Sequence, residues 1–241
     1  MDQFILKDSL KKPFSPYSLK ASTSHLILLI FWPIFGLSFA ILEQKEFNTS
    51  DWHLMHTAFD EMIPFNEYFI VPYLFWFVFL TGMVAYTALF NVAAFQRMMY
   101  FIMITYTVTI IIYIIYPTYQ DLRPVTFERT NIFTQTVRNF YRHDTKTNVC
   151  PSLHVLGSVA AMLAGWDTER FSKTGWKIVF FIITVLISIS TLTLKQHSIV
   201  DVILAIFLSI IAYIIVYIVC GHNGYQNKTV RSEKHHEKIS A

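Results

Sequence analysis

Charged side chains are few in this sequence, 15% of 241 residues, and they leave long runs with none at all. Soluble domains carry about 25%, so an ordinary water-soluble fold is excluded. Glycine is sparse as well, with 7 residues, and no glycine-rich loop is present to cradle a nucleotide. Cysteine occurs twice, as Cys150 and Cys220. Two thiols expected on opposite membrane faces build neither a disulfide framework nor a metal cluster. Basic residues are nowhere interleaved with aromatics in the manner of a nucleic-acid surface. What fills the chain is apolar: 54% of it is hydrophobic, with 22 Phe and 13 Tyr, the composition of lipid-facing helices and interfacial aromatic belts.

The uncharged runs set the architecture. A membrane-crossing helix needs about 20 apolar residues, and the runs Ala21 to Leu42, Tyr68 to Gln96 and Met98 to Tyr116 supply spans one to three, with Arg97 closing a short turn. A shorter apolar stretch, Leu153 to Trp166, supplies span four, Ile178 to Leu194 span five, and Val202 to Cys220 the body of span six. The expected fold is therefore all-α, a polytopic membrane protein of six transmembrane helices. It divides into a cytoplasmic N-terminal segment (1–20), a six-span catalytic membrane domain (21–220) and a polar cytoplasmic tail (221–241). Between spans one and two, Trp52, Met55, Phe59 and Met62 recur at helical spacing, which predicts a short helix lying in the interface.

Positive charge orients the bundle. With both termini cytoplasmic, twelve of the nineteen Lys and Arg residues fall inside, in keeping with the positive-inside bias. Five of the remaining seven, Arg123, Arg129, Arg138, Arg142 and Lys146, share the loop before span four. Cations held on the outer face against the bias point to an anionic ligand there.

The chemistry gathers on that face. Ser190-Thr-Leu-Thr-Leu-Lys-Gln-His-Ser-Ile-Val-Asp201 puts Lys195, His197 and Asp201 at the mouth of span six, with His197 and Asp201 four residues apart on one helical face. Ionisable groups at a membrane boundary mark a site by default. The loop before span four ends in Ser152, which can cap that span, and His154 in its first turn. Two imidazoles, a carboxylate, several cations and two helix N-termini make a phosphoryl-transfer set. One imidazole attacks phosphorus while the carboxylate one turn along fixes its tautomer, the other protonates the leaving oxygen, and Arg and Lys bind the remaining oxygens. By contrast, His53 and His56 have no companions that would complete a metal site.

The same residues carry a resemblance. Arg123-Pro124, Pro151-Ser152-Leu153-His154 and Ser190…His197…Asp201 resemble, in order, the three signature motifs of the type-2 phosphatidic-acid phosphatase and haloperoxidase superfamily. Asp60-Glu-Met-Ile-Pro-Phe, with Tyr73 and Trp76 beyond it, is similar to the entry to span two in its inositol phosphorylceramide synthase-like members. The resemblance implies His197 as nucleophile, Asp201 as its orienting partner and His154 as general acid, with Ser152 and Arg123 binding phosphate. It also shows departures. Tyr116 stands where the first motif usually has lysine, Thr191 where the third has arginine and Leu153 where the second has glycine. Lys195, Arg138 and Arg142 are the candidates to replace the missing cations.

The expectation is then a lipid phosphatase of the plasma membrane, acting without metal or cofactor on a lipid phosphate or diphosphate at the outer face. Its partners are that substrate and membrane lipids, not nucleic acid. A lipid phosphotransferase is the alternative, and an anion transporter is the reading from a different class. The latter is disfavoured because the charges cluster at one face and no internal repeat is visible.

Overall fold

The structure is a computed structural model and describes residues 23–44 and 51–220, apart from the side chain of His143. The N-terminal segment and the C-terminal tail named above lie outside the described residues.

Eight α-helices are described. A 3₁₀ run, Thr23–Ile30, leads into α1 (Phe31–Glu43), and a short α2 (Ala58–Met62) precedes α3 (Ile70–Phe90) and α4 (Val92–Ile115). Next come α5 (Ile132–His143), α6 (Leu153–Trp166), α7 (Thr174–Thr193) and α8 (Ile199–Tyr213), the last continuing through a π-helical stretch, Ile214–Val219. Among the described residues, five helical segments are long and apolar enough to cross a membrane: Thr23–Glu43, Glu67–Phe90, Val92–Ile115, Thr174–Thr193 and Ile199–Val219.

The expected span four, α6, is different in kind. Its 14 residues rise only about 21 Å, short of a hydrocarbon layer of about 30 Å. It also has little surface to offer lipid. Every residue from Val155 to Gly165 is buried except Val159, because α3, α4, α7 and α8 pack around it. Small residues make this possible: Gly157, Ser158, Ala160, Ala161, Ala164 and Gly165 let the neighbouring helices approach closely. At Gly157 a Cβ would lie 2.7 Å from the Tyr106 hydroxyl oxygen and 3.0 Å from Trp76 Nε1, and at Gly165 one would lie 2.6 Å from the Phe180 ring. The central helix is therefore the one whose length was the weakest signal of a span.

Two boundaries differ from expectation. The α3–α4 turn falls at Asn91 (φ −150°, ψ 86°), whose side chain caps α4 by accepting from Ala94 N at 3.0 Å. Arg97 lies inside α4 and pairs with Asp167 at the far end of α6, Nε to Oδ2 2.6 Å. An uncharged Asn is invisible to a search for charges, and an arginine with a carboxylate partner need not sit in a loop. Nor do Trp52, Met55, Phe59 and Met62 share one helix. His53–Leu54 instead pairs in parallel with Thr118–Tyr119, and a capping box between Thr57 and Asp60 starts α2 only at Ala58.

Most buried hydroxyls inside the bundle are satisfied by their own helices. Thr87 donates to Met83 O (2.7 Å), Thr105 to Phe101 O (2.8 Å) and Ser209 to Ala205 O (2.8 Å), so they add no unpaired polarity to the apolar interior.

Candidate active site

The two histidines meet at one end of the bundle. His154, in the first turn of α6, and His197, just before α8, have ring centroids 5.8 Å apart. The backbone fixes their relation directly, since Ser152 N donates to Asp201 O at 3.2 Å and so joins the start of α6 to the first turn of α8.

His197 is held from below. Its Nδ1 lies 3.2 Å from Asp201 Oδ2, and the same oxygen accepts Ser198 N at 2.9 Å. Asp201 is fully buried, and a buried carboxylate facing Nδ1 makes that nitrogen the N–H donor. The lone pair then resides on Nε2, the ring nitrogen that does not face Asp201 and the atom available to attack. On Asp201's other side, burial pushes the Cys150 thiol up, and the Asp201 carboxylate adds to that shift. Cys150 is thus a protonated, inert neighbour.

His154 is walled by aromatic rings. Tyr73 stacks on it with centroids 4.5 Å apart and a 29° tilt, Trp76 lies at 4.4 Å, and Phe77 stands edge-on at 6.4 Å. All three come from α3, and Phe77 is itself 45% exposed on the outside of the bundle. His154 Nε2 is enclosed and has no hydrogen-bond partner among the described residues.

Ser152 is buried, yet its hydroxyl does not cap α6. The expected cap is absent, and Ser152 Oγ instead joins His154 Nε2 as an enclosed polar atom without a protein partner. Such groups are rare enough in folded proteins to need an explanation. The start of α8 is the reverse case: Ile199 N donates to Asp60 Oδ1 (2.8 Å), Val200 N to Ser198 Oγ (3.3 Å) and Asp201 N to Ser198 O (3.1 Å). Of the two helix N-termini expected to receive phosphate, that of α8 is already occupied by protein oxygens.

Arg123 is locked in place. Nη1 donates to Asp144 O (2.9 Å) and Tyr141 O (3.4 Å), and Nη2 donates to Thr145 O (2.7 Å), Asp144 Oδ2 (3.3 Å) and Gln196 Oε1 (2.5 Å). The guanidinium also lies 4.6 Å over the Tyr141 ring. Its Nε is buried and without a hydrogen-bond partner among the described residues, as are Trp76 Nε1 beside His154 and Asp201 Oδ1 beside His197; Arg123 is tied to the imidazole pair through Gln196, which adjoins His197.

The other expected cations are placed elsewhere. Lys195 is buried, with a left-handed backbone (φ 53°), and Nζ donates to Asp60 O at 2.5 Å. Burial lowers its ammonium below the usual lysine range, with Asp60 pulling the other way. Arg138 and Arg142 are exposed one turn apart on α5, and Arg138 lies 5.4 Å over Phe127. No hydrogen bond ties either to the imidazoles, Ser152 or Asp201. At the departures from the motifs, Tyr116 stacks on His53 (3.6 Å, 2°), and Thr191 O receives both Gln196 N (2.9 Å) and His197 N (3.2 Å). His56 sits between Asp121 (2.9 Å) and Glu61 (3.3 Å). Among the described residues no three His, Cys, Asp or Glu side chains gather as a metal site.

A family model for the PAP2 superfamily matches residues 97–225, a little over half of the chain. The chain belongs to the PAP2 superfamily. No curated protein and no solved structure matches it. The matched region holds Arg123, Ser152, His154, His197 and Asp201 but begins after Asp60, Tyr73 and Trp76. PAP2 membership together with the apolar helices gives the fold as a membrane phosphatase type. Several contributors to the site carried no weight in the sequence: Gln196 and Asp144 as anchors of Arg123, and Phe77 in the wall of His154, whose other rings, Tyr73 and Trp76, entered only through the resemblance at the start of span two. Gln196 was legible only as the neighbour of His197, and Asp144 as an acid inside a basic loop.

Proposed function

We propose that this PAP2 protein is a lipid phosphatase, hydrolysing a phosphomonoester or diphosphate of a lipid through a phosphohistidine on His197 at the outer face of the plasma membrane. The observation that carries this reading is the imidazole pair: one ring has Nδ1 tied to a buried carboxylate, and 5.8 Å away the other presents an enclosed, unpartnered Nε2.

The chemistry closes on these residues. His197 Nε2 forms a bond to phosphorus as the bond to the leaving oxygen breaks, and a proton from His154 goes to that oxygen. Arg123 Nε–H and Ser152 O–H, both buried and without a partner among the described residues, are the donors for the non-bridging oxygens, where preorganised dipoles contribute most. His154, now the base, then takes a proton from water. The water oxygen bonds to phosphorus, the P–N bond breaks, and its electron pair returns to His197. Arg and Ser supply the phosphate contacts on this route, which passes through no metal.

A lipid substrate is supported by the apolar surroundings of the site. The wall of His154 is aromatic and includes the outward-facing Phe77, and a separate apolar groove, lined by Tyr68, Pro72, Phe75, Ile183 and Ile187, lies between the helices that carry Phe75 and Ile183. The same wall favours a second reading. An aromatic enclosure around the general acid restrains water and admits a lipid alcohol, which is what an inositol phosphorylceramide synthase-like transferase needs.

The experiment supplies labelled phosphatidic acid, phosphatidylglycerol phosphate or polyprenyl diphosphate in detergent, with and without inositol phospholipid labelled at its own phosphorus plus ceramide or diacylglycerol. Free labelled phosphate in every mixture is the expected result. Label passing into a new phospholipid with phosphate at background replaces the phosphatase by the transferase.

A further inference from the structure

We infer that Asp60, outside the matched region, is a positioning residue for His197: its buried carboxylate clamps the chain on the C-terminal side of the nucleophile, while its carbonyl anchors the chain on the N-terminal side. The inference rests on the reading of His197 as nucleophile and adds to it a group from 137 positions earlier in the chain.

The geometry is specific. Asp60 is 1% exposed. Oδ2 accepts Ser198 Oγ at 2.7 Å, and Oδ1 accepts Ile199 N at 2.8 Å. Thr57 N and Oγ1 complete the carboxylate at 2.8 and 2.9 Å. Its carbonyl oxygen receives Lys195 Nζ at 2.5 Å. The residues bound, Lys195, Ser198 and Ile199, bracket His197 within a few positions. Burial acts to raise the carboxyl, but the donors from Ser198, Ile199 and Thr57 outweigh it and hold it below the usual aspartate range, so it is ionised and accepts all four bonds.

The clamp reaches the imidazole through one residue. Ser198 spends its hydroxyl proton on Asp60 and its backbone N–H on Asp201 Oδ2, the same oxygen that faces His197 Nδ1. Fixing Ser198 therefore fixes where Asp201 can stand, and with it which ring nitrogen of His197 carries the proton. Lys195 contributes a left-handed backbone turn, uncommon for a residue with a side chain, and its ammonium bond to Asp60 is what holds that turn beside the nucleophile. A helix cap alone would not need this. Ser198 already forms a capping box with Asp201, and Asp60 serves the capping box of α2; the cross-link between the two boxes is the additional feature.

The test is Asp60→Asn in the full-length protein, beside Thr57→Ala, which removes one donor from the same carboxylate and leaves the bonds to Ser198 and Ile199. Two readouts are taken: kcat and KM on the preferred lipid phosphate, and the ring ¹⁵N signals of His197, assigned against His197→Ala. The expected result is a fall in kcat of about 100-fold, the scale of a displaced reacting group, with KM within about twofold. The ring signal should shift from a single Nδ1–H tautomer to a mixture. Thr57→Ala should retain both the tautomer and the turnover within about threefold. Equal losses in the two variants, or an unchanged ring signal in Asp60→Asn, overturns the clamp and leaves Asp60 a structural cap. If Asp60→Asn does not fold, Ser198→Ala carries the test: a mixed tautomer supports the clamp, and a wild-type ring signal ends it. The ring signal decides the matter whether or not the protein turns over lipid phosphate, so failure of the clamp is distinct from failure of the phosphatase reading.

Discussion

The His197→Ala protein is expected to fold, to bind lipid phosphate and to turn it over on the order of 10⁴-fold more slowly than the unaltered chain. The size follows from what is removed. Water and the remaining cations cannot replace a nucleophile held by a buried carboxylate, because covalent catalysis divides one difficult displacement into two easier ones and loses both with the attacking atom. The fold should survive because the ring makes one hydrogen bond, to Asp201 Oδ2, and that oxygen keeps Ser198 N. Steady-state kinetics with thermal unfolding in the same detergent check this. Activity above a few per cent in a correctly folded variant contradicts the assignment of His197.

His154→Ala should show a loss that depends on the substrate. A general acid contributes about 10² to 10⁴-fold, and only where the leaving oxygen needs a proton. For a lipid alkoxide the fall should lie at the upper end of that range; for an aryl phosphate, whose leaving oxygen is already stable as an anion, it should shrink to tenfold or less. The aromatic wall of Tyr73, Trp76 and Phe77 is contributed by α3 rather than by His154, so the variant should leave the pocket standing. Measuring kcat/KM over a series of leaving groups tests this. Equal losses across the series would mean that His154 holds substrate and transfers no proton.

The residues of the candidate site were legible because they are of types that are costly in lipid. A His and an Asp at the mouth of an uncharged run, and a Ser and a His at the head of another, announce themselves against an apolar background, and the structure brings the imidazoles together. The chain's helices were legible from hydrophobic runs for the same reason. What misled was length and charge used as boundaries. Helix α6 is too short to stand against lipid, and its small residues show instead that it is enclosed by protein. Asn91 ends a helix without any charge to mark it, while Arg97 continues one because Asp167 answers it. The supporting groups were harder still. Asp60, Gln196 and Asp144 act across gaps of tens of residues, and nothing in local spacing says that an acid before span two will reach the chain beside His197. The expected role of Ser152 as a cap also depended on local pattern alone, and the free hydroxyl it presents was visible only in three dimensions.

The central claim is a covalent bond between phosphorus and His197, and trapping it is the most direct measurement. Protein is mixed with ³²P-labelled lipid phosphate for milliseconds, quenched in alkali to preserve P–N bonds, and digested. The account predicts acid-labile label on a single peptide containing His197, attached at Nε2, absent from His197→Ala and accumulating in His154→Ala with a good leaving group, where the second step lacks its base. Label on another residue, or full turnover with no labelled peptide at any time, would contradict it.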